Sequence, residues 1–208
     1  MKPITHAIIK KLHKDLVVIS KDGKEIIADT GVKLQQKTHQ LYSGTIKFED
    51  GSYRVTDTSK AEFIKEKFKG YKIGIFYKFV AELEMLKSVF GNELTTDLNE
   101  FNSTDKNIAL QIVSGREGIS LAKADNLVFL NIDFSAVSYF QARDRLTAME
   151  RKENTIFWIF SKGGIEEKIY RAVQNKKDYT NDTFKKEFGI SNTKENYNTT
   201  RKARLLRS

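Results

Sequence analysis

Ile108-Ala109-Leu110-Gln111-Ile112-Val113-Ser114-Gly115-Arg116-Glu117-Gly118-Ile119-Ser120-Leu121 is the stretch on which the reading of this chain turns. Its first six residues are apolar on both faces apart from Gln111, which describes a strand covered from two sides. Two glycines follow, leaving backbone N–H groups able to approach a phosphate closely, and Arg116 adds a charge. A tight turn that needs glycine for its shape alone accounts for the same residues.

Working outward, three more runs have this character: Lys72 to Tyr77, Leu127 to Asn131 and Thr155 to Phe160. Helical spacing separates them. Ala61, Phe63, Ile64, Lys67 and Phe68 follow a cap at Thr58 or Ser59, and Val80 to Phe90 carries Leu83, Leu86 and Phe90 on one face before Gly91 and Asn92. Further helices are expected over Ser135 to Met149 and Gly164 to Gln174. Strands apolar on both faces that alternate with helices imply an α/β fold with a mainly parallel sheet between two helical layers.

Residues 1–56 read as a lead-in segment. Short strands are expected at Leu16 to Ile19, Glu25 to Ala28 and Thr45 to Phe48, with turns at Lys21-Asp22-Gly23-Lys24 and Glu49-Asp50-Gly51-Ser52, and a polar helix over Val32 to Leu41. Residues 57–188 form the expected lobe. Residues 189–208 turn to Asn, Thr, Lys and Arg and read as a basic tail that is disordered or orders on a partner.

The 208 residues suit one ordinary domain. With 39% hydrophobic and 30% charged residues, no run reaches the roughly 20 apolar residues of a membrane helix. Met1-Lys2-Pro3-Ile4-Thr5-His6 has no secretory pattern, and the absence of cysteine excludes disulfides and thiolate metal sites. A cytoplasmic protein with no membrane partner is expected. Thirty-six Lys and Arg against 27 Asp and Glu give +9, which fits a polyanionic partner or a basic surface kept for solubility.

A parallel α/β sheet presents its ligands at the carboxyl ends of its strands. After Phe76 come Tyr77, Lys78 and Phe79, which read equally as a nucleic-acid contact or as packing beside a solvated cation. After Asn131, the run Ile132-Asp133-Phe134-Ser135 leads into Gln141-Ala142-Arg143-Asp144-Arg145. Gln141 and Arg145 share a helix face, so an amide and a planar guanidinium point together; a surface ion pair of Arg145 with Asp144 or Glu150 is the plainer alternative. No Gly-x-x-x-x-Gly-Lys-Ser/Thr occurs, so no nucleoside-triphosphate P-loop lies in these residues. His6, His13 and His39 are scattered near the start, without paired carboxylates, and read as surface or structural histidines.

Taken in order, Ile-Phe-Tyr-Lys-Phe, Ser-Gly-Arg-Glu-Gly-Ile-Ser-Leu-x-x-Ala-Asp-x-Leu-Val-Phe and Gln-Ala-x-x-Arg resemble motifs IV, V and VI of the superfamily-two helicases. The likeness is nearest to the Swi/Snf-type double-stranded DNA translocases and their phage relatives, including the later segment Lys162-Gly163-Gly164-Ile165-Glu166-Glu167-Lys168-Ile169-Tyr170. It covers residues 57–177, and Val32 to Gly44 corresponds to the region that precedes the lobe in those proteins.

The resemblance implies a single RecA-like lobe, the second of two that sandwich ATP. It implies Arg145 as arginine finger with Gln141 beside it, and Gly118, Ile119, Ser120 and Asp125 on the nucleotide side. Tyr77, Lys78, Ser114, Gly115 and Arg116 are the implied nucleic-acid contacts, with DNA favoured and RNA open. The family's second arginine, three residues after the first, is Ala148 here, and Arg151 is the candidate to replace it. No metal ligand is expected in this lobe. ATP and Mg²⁺ are expected only when a first RecA-like lobe, encoded elsewhere, joins it, and the implied setting is a bacterial or phage-infected cell. A non-catalytic nucleic-acid-binding module that kept the lobe's fold is the alternative.

Overall fold

The computed structural model describes residues 1–112, 121–135 and 155–190. At its centre is a five-stranded sheet, all parallel, in the order β6-β7-β5-β8-β9. These strands are β5 (Ile73–Tyr77), β6 (Leu94–Thr95), β7 (Asn107–Gln111), β8 (Asn126–Phe129) and β9 (Thr155–Trp158). Side chains alternate between faces as a pleated strand requires. Ile73, Ile75, Tyr77, Ala109 and Val128 lie on one face, packed with residues of α3 (Ser59–Lys67) and α4 (Val80–Phe90). Phe76, Ile108, Leu127 and Phe129 lie on the other, with Phe101 of α5 (Leu98–Ser103) and with Leu121. The expected layered α/β lobe with a parallel sheet is met.

Phe63 is a correction. It carries helix spacing in the sequence, yet it is 53% exposed, because the buried stripe of α3 runs through Ala61 and Ile64 toward Phe68 and passes beside it.

Residues before the lobe build a core of their own with the segment 165–190. Helix α1 (Pro3–Asp15), unforeseen in the sequence, starts with proline in its first turn and ends on Leu16 in the left-handed region. Hairpins β1 (Val17–Ile19) with β2 (Glu25–Ile27), and β3 (Thr45–Lys47) with β4 (Tyr53–Val55), flank α2 (Gly31–Tyr42). Their apolar residues, among them Leu12, Leu16, Leu34, Leu41 and Ile46, share one cluster with Ile165, Ile169 and Val173 of α6 (Ile165–Gln174) and Phe184 of α7 (Asn181–Phe188).

Polar as it is, α2 is buried on nearly every side. Several of its side chains are matched: Gln35 donates to the Tyr179 carbonyl (3.2 Å), Gln40 accepts from the Lys47 N–H (3.0 Å), and Lys37 pairs with Glu49 (3.3 Å). Such pairing offsets the cost of burying polar groups.

Asp57 ties this region to the lobe. One carboxylate oxygen accepts from the Lys2 N–H (2.6 Å) and the Thr5 hydroxyl (2.7 Å) at the start of α1, and the other from the Ser59 N–H (3.0 Å) and hydroxyl (2.5 Å) at the start of α3. The chain reaches Asp57 past Gly44, whose φ of +88° and the Asp57 carbonyl 2.2 Å from any added Cβ leave room for glycine alone. No helix among the described residues is long and apolar enough to cross a membrane.

Candidate functional site at the carboxyl edge of the sheet

Strand order locates the crevice. From β5 the chain moves out to β6 and β7 on one side, then crosses to β8 and β9 on the other. The connections therefore diverge between neighbouring β5 and β8, the switch point at which open α/β sheets hold ligands. The turn after β5 is Lys78-Phe79, and the segment after β8 runs from Leu130 to Ser135.

The β5–α4 turn is shaped by Glu82. Its carboxylate, in the first turn of α4, reaches back to the N–H groups of Lys78 (2.7 Å) and Phe79 (2.8 Å), satisfying donors that a helix start leaves open. Its other oxygen accepts from the Asn131 amide (2.6 Å). Burial raises the pKa of Glu82, while these N–H donors, the charge of Lys60 and the amide act the other way. The turn after β5 is thus bolted to the segment after β8.

Asn131 carries the connection on to α2. Its amide oxygen accepts from the Ile132 N–H (2.8 Å) and meets His39 Nε2. An amide oxygen can only accept, so Nε2 carries the proton. Burial, with the charge of Lys78, holds the pKa of His39 well below 6.5. The ring lies edge-on to Phe79 (5.3 Å between centroids) and tilted against Phe134 (4.8 Å). His39 is structural, as the sequence expects.

Lys78 lies over this aromatic floor. Its ammonium is 4.7 Å from the Phe134 centroid and 3.4 Å from an Asp133 oxygen, with 19% of its side chain exposed. A partly desolvated cation at a switch point can receive a phosphate by exchanging Asp133 for it. Tyr77 lies deeper. It is 9% exposed, packs in the core with Ile75 and Met85, and burial raises the pKa of its hydroxyl.

Asp125 lies at the opposite edge. Its carboxylate accepts from the Lys72 N–H (2.7 Å) at the amino end of β5, six residues from Lys78 and so about 20 Å of strand away at ~3.3 Å per residue. The structure therefore does not bring it together with Lys78. Ser114, Gly115, Arg116, Gly118, Ile119 and Ser120 lie outside the described residues, as do Gln141, Arg145 and Arg151. Among the described residues no group of three or more His, Asp or Glu is placed to hold a metal ion.

A second buried polar contact braces the lobe. Lys60 of α3 donates to Glu166 of α6 (2.5 Å) and to the Leu130 carbonyl (3.3 Å). Gly164 makes room for it, since an added Cβ would stand 2.3 Å from the second Glu166 oxygen. Sequence reasoning passed over Glu82, Asn131, Lys60 and Glu166 as functional groups. Glu82 had one local signal, its place three residues past a helix cap, and Glu166 stood in the Lys162 to Tyr170 segment without a role; Asn131 and Lys60 have none, because their partners lie 49 and 106 residues away.

No established family profile matches the chain. The chromatin-remodelling ATPase INO80 of Mycosarcoma maydis is 35% identical over 66 residues, which is 31% of this chain and 4% of that protein. Among solved structures, the C-terminal part of the Fun30 ATPase domain is 22% identical with a TM-score of 0.46, covering 54% of this chain and 44% of that one. Domain 2 of the DEAD-box helicase Mss116p, bound to an RNA duplex, is 19% identical with a TM-score of 0.43, covering 57% and 54%. The chain thus spans a small part of the curated relative and about half of these two solved chains. Over part of its length, the chain is thus similar to a chromatin-remodelling ATPase.

Proposed function

We propose that this chain is the second lobe of an ATP-dependent DNA helicase or translocase, supplying the arginine finger and part of the nucleic-acid track. The observation that carries it is topological. β5, β7 and β8 are neighbouring parallel strands whose carboxyl ends lie on one edge of the sheet, and in the sequence Lys78-Phe79, Ser114 to Ser120 and, after Asp133, Gln141 to Arg145 follow them. Those are the three motif segments, in the helicase order. The 35% identity over 66 residues to a chromatin-remodelling ATPase supports the same reading.

In this reading ATP and Mg²⁺ are held by a first RecA-like lobe from outside these 208 residues, which contain no P-loop. The described residues fit that division, with a cation at the switch point. ATP supplies the phosphoryl bond whose hydrolysis drives movement. Arg145 stabilises charge on the transferred phosphoryl group with Gln141 beside it, Gly118, Ile119 and Ser120 border the nucleotide, and Lys78, Ser114, Gly115 and Arg116 contact the nucleic-acid backbone. Arg151 takes the place of the second arginine that Ala148 lacks. The bacterial or phage-infected setting belongs to the same proposal.

An arginine finger contributes roughly 10³ to 10⁵ in rate. With the chain joined to its first lobe, Arg145→Ala is expected to abolish DNA-stimulated ATP hydrolysis, and turnover near wild type overturns the assignment. The missing P-loop also favours a second reading, a binding module without enzymatic role. It predicts salt-dependent DNA binding with no ATPase stimulation when the chain is mixed with any first-lobe partner that co-purifies with it.

A further inference from the structure

Next to the β5–α4 turn lies a cavity of about 380 Å³, enclosed by α2, the β3–β4 hairpin and the first turn of α4. Gln36, Gln40, Lys47, Tyr53, Lys78 and Val80 are among its walls, and none of the residues lining it is acidic. The register of the hairpin sets Lys47 directly opposite Tyr53, so a cation and an aromatic ring stand side by side on one face. Tyr53 is 48% exposed. Such exposure of a large ring on a short hairpin does nothing for the core.

Asp133 is held by Lys78 itself (3.4 Å) and would be exchanged for a phosphate, while the carboxylates around the hairpin are held by other cations. Glu49 pairs with Lys37 (3.3 Å), Asp50 with Lys24 (3.2 Å) and Asp22 with Arg54 (2.5 Å). Lys78, shared with the switch-point crevice, makes the cavity continuous with the candidate site. By contrast, the larger cavity of about 910 Å³ at the amino edge sets Glu62, Glu66, Glu93, Asp105 and Asp125 among Lys65, Lys69, Lys72 and Lys106, a lining without excess positive charge.

We infer that the hairpin groove is a track for a single nucleic-acid strand, with one base stacked on Tyr53 and the backbone phosphates between Lys47 and Lys78. The inference rests on the reading of this lobe as a nucleic-acid translocase and adds to it a contact outside the motif segments. An aromatic platform beside cations is the chemistry that binds single strands whatever their sequence, and the ring needs an unpaired base face, which a closed duplex does not offer. The β3–β4 hairpin therefore belongs to the binding surface.

The test uses the full chain with a short fluorescent oligothymidylate and, in parallel, a closed duplex. Tyr53→Ala is expected to weaken single-strand binding roughly tenfold, as loss of one stacked base does, while Tyr53→Phe keeps it. Lys47→Gln is expected to lower the slope of log affinity against log salt by about 0.7. In Tyr53→Trp, bound oligonucleotide quenches the new indole. Both side chains are exposed, so unchanged circular dichroism and melting keep a loss of binding from being a loss of fold. If the wild type binds the single strand and Tyr53→Ala and Lys47→Gln bind as tightly, the groove is not the track and the translocase reading stands. Equal losses on single strand and duplex with no quenching also overturn the stacking contact. If the wild type binds neither nucleic acid, both readings fall.

Discussion

Lys60 and Glu166 meet at 2.5 Å with 4% and 0% of their side chains exposed. Burial raises the pKa of Glu166, and the Lys60 ammonium opposes that rise. A buried ion pair stabilises little beyond an apolar pair of the same shape, but breaking it strands a charge. Lys60→Met is expected to destabilise the chain by about 3–5 kcal/mol in urea unfolding, and Lys60→Met with Glu166→Leu to recover most of the loss. In the single variant, the carboxyl's folded pKa lies above its ordinary 4.5, so the deficit should grow as pH rises past that value and shrink in acid. A deficit independent of pH would mean that Glu166 is not the stranded group. Gly44→Ala should lose at least ~1–3 kcal/mol from its left-handed φ alone, with more from the contact to the Asp57 carbonyl; an unchanged melting temperature would contradict the turn described. At this scale the sequence displayed Gly163-Gly164 and Glu166 as a motif but not their reason, since a Cβ collision is visible only once both chains of atoms are in place.

Among the elements, β5, β7, β8 and β9 were legible because both-faced apolar runs are a local property, whereas β4 and the two-residue β6 were not. Helix α1 was not: its buried residues Thr5, Ile9 and Leu12 make a thin stripe that matters only because α2 and α7 lie against it. His13 reports on that docking. Its Nε2 is 2.7 Å from the Thr38 hydroxyl, and its ring stands edge-on to Phe184 and Phe188 at 6.0 and 5.2 Å. Burial, with the charge of Lys168, lowers its pKa to about 4. The unfolded chain then takes up a proton that the folded chain refuses. Stability is therefore complete above pH 6.5 and falls as the pH drops from there toward 4. Between pH about 7 and about 5 this group alone should withdraw about 2 kcal/mol. His13→Gln should remove part of the dependence, with His39 contributing in the same direction. A urea midpoint that stays level across that interval would refute the buried neutral histidine.

For the whole molecule, the cluster shared by α1, α2, the two hairpins, α6 and α7 makes residues 1–56 part of the folding unit. A chain beginning at Asp57 loses Leu12, Leu16, Leu34, Leu41 and Ile46 from around Ile165, Ile169 and Phe184. It is expected to lose cooperative unfolding and expose apolar surface to a dye such as ANS; a sharp two-state transition would show that the lobe stands alone. The sequence by itself determined the parallel α/β sheet through the apolar runs of β5, β7, β8 and β9, because these follow from local periodicity and chain direction. Only the tertiary structure decided that Tyr77 turns into the core, that Asp125 lies at the far edge, and that Glu82, Asn131 and His39 link three elements beneath Lys78. The physical reason is that which face of a strand is covered, and which buried polar groups must find one another, depend on contacts between residues far apart in the chain.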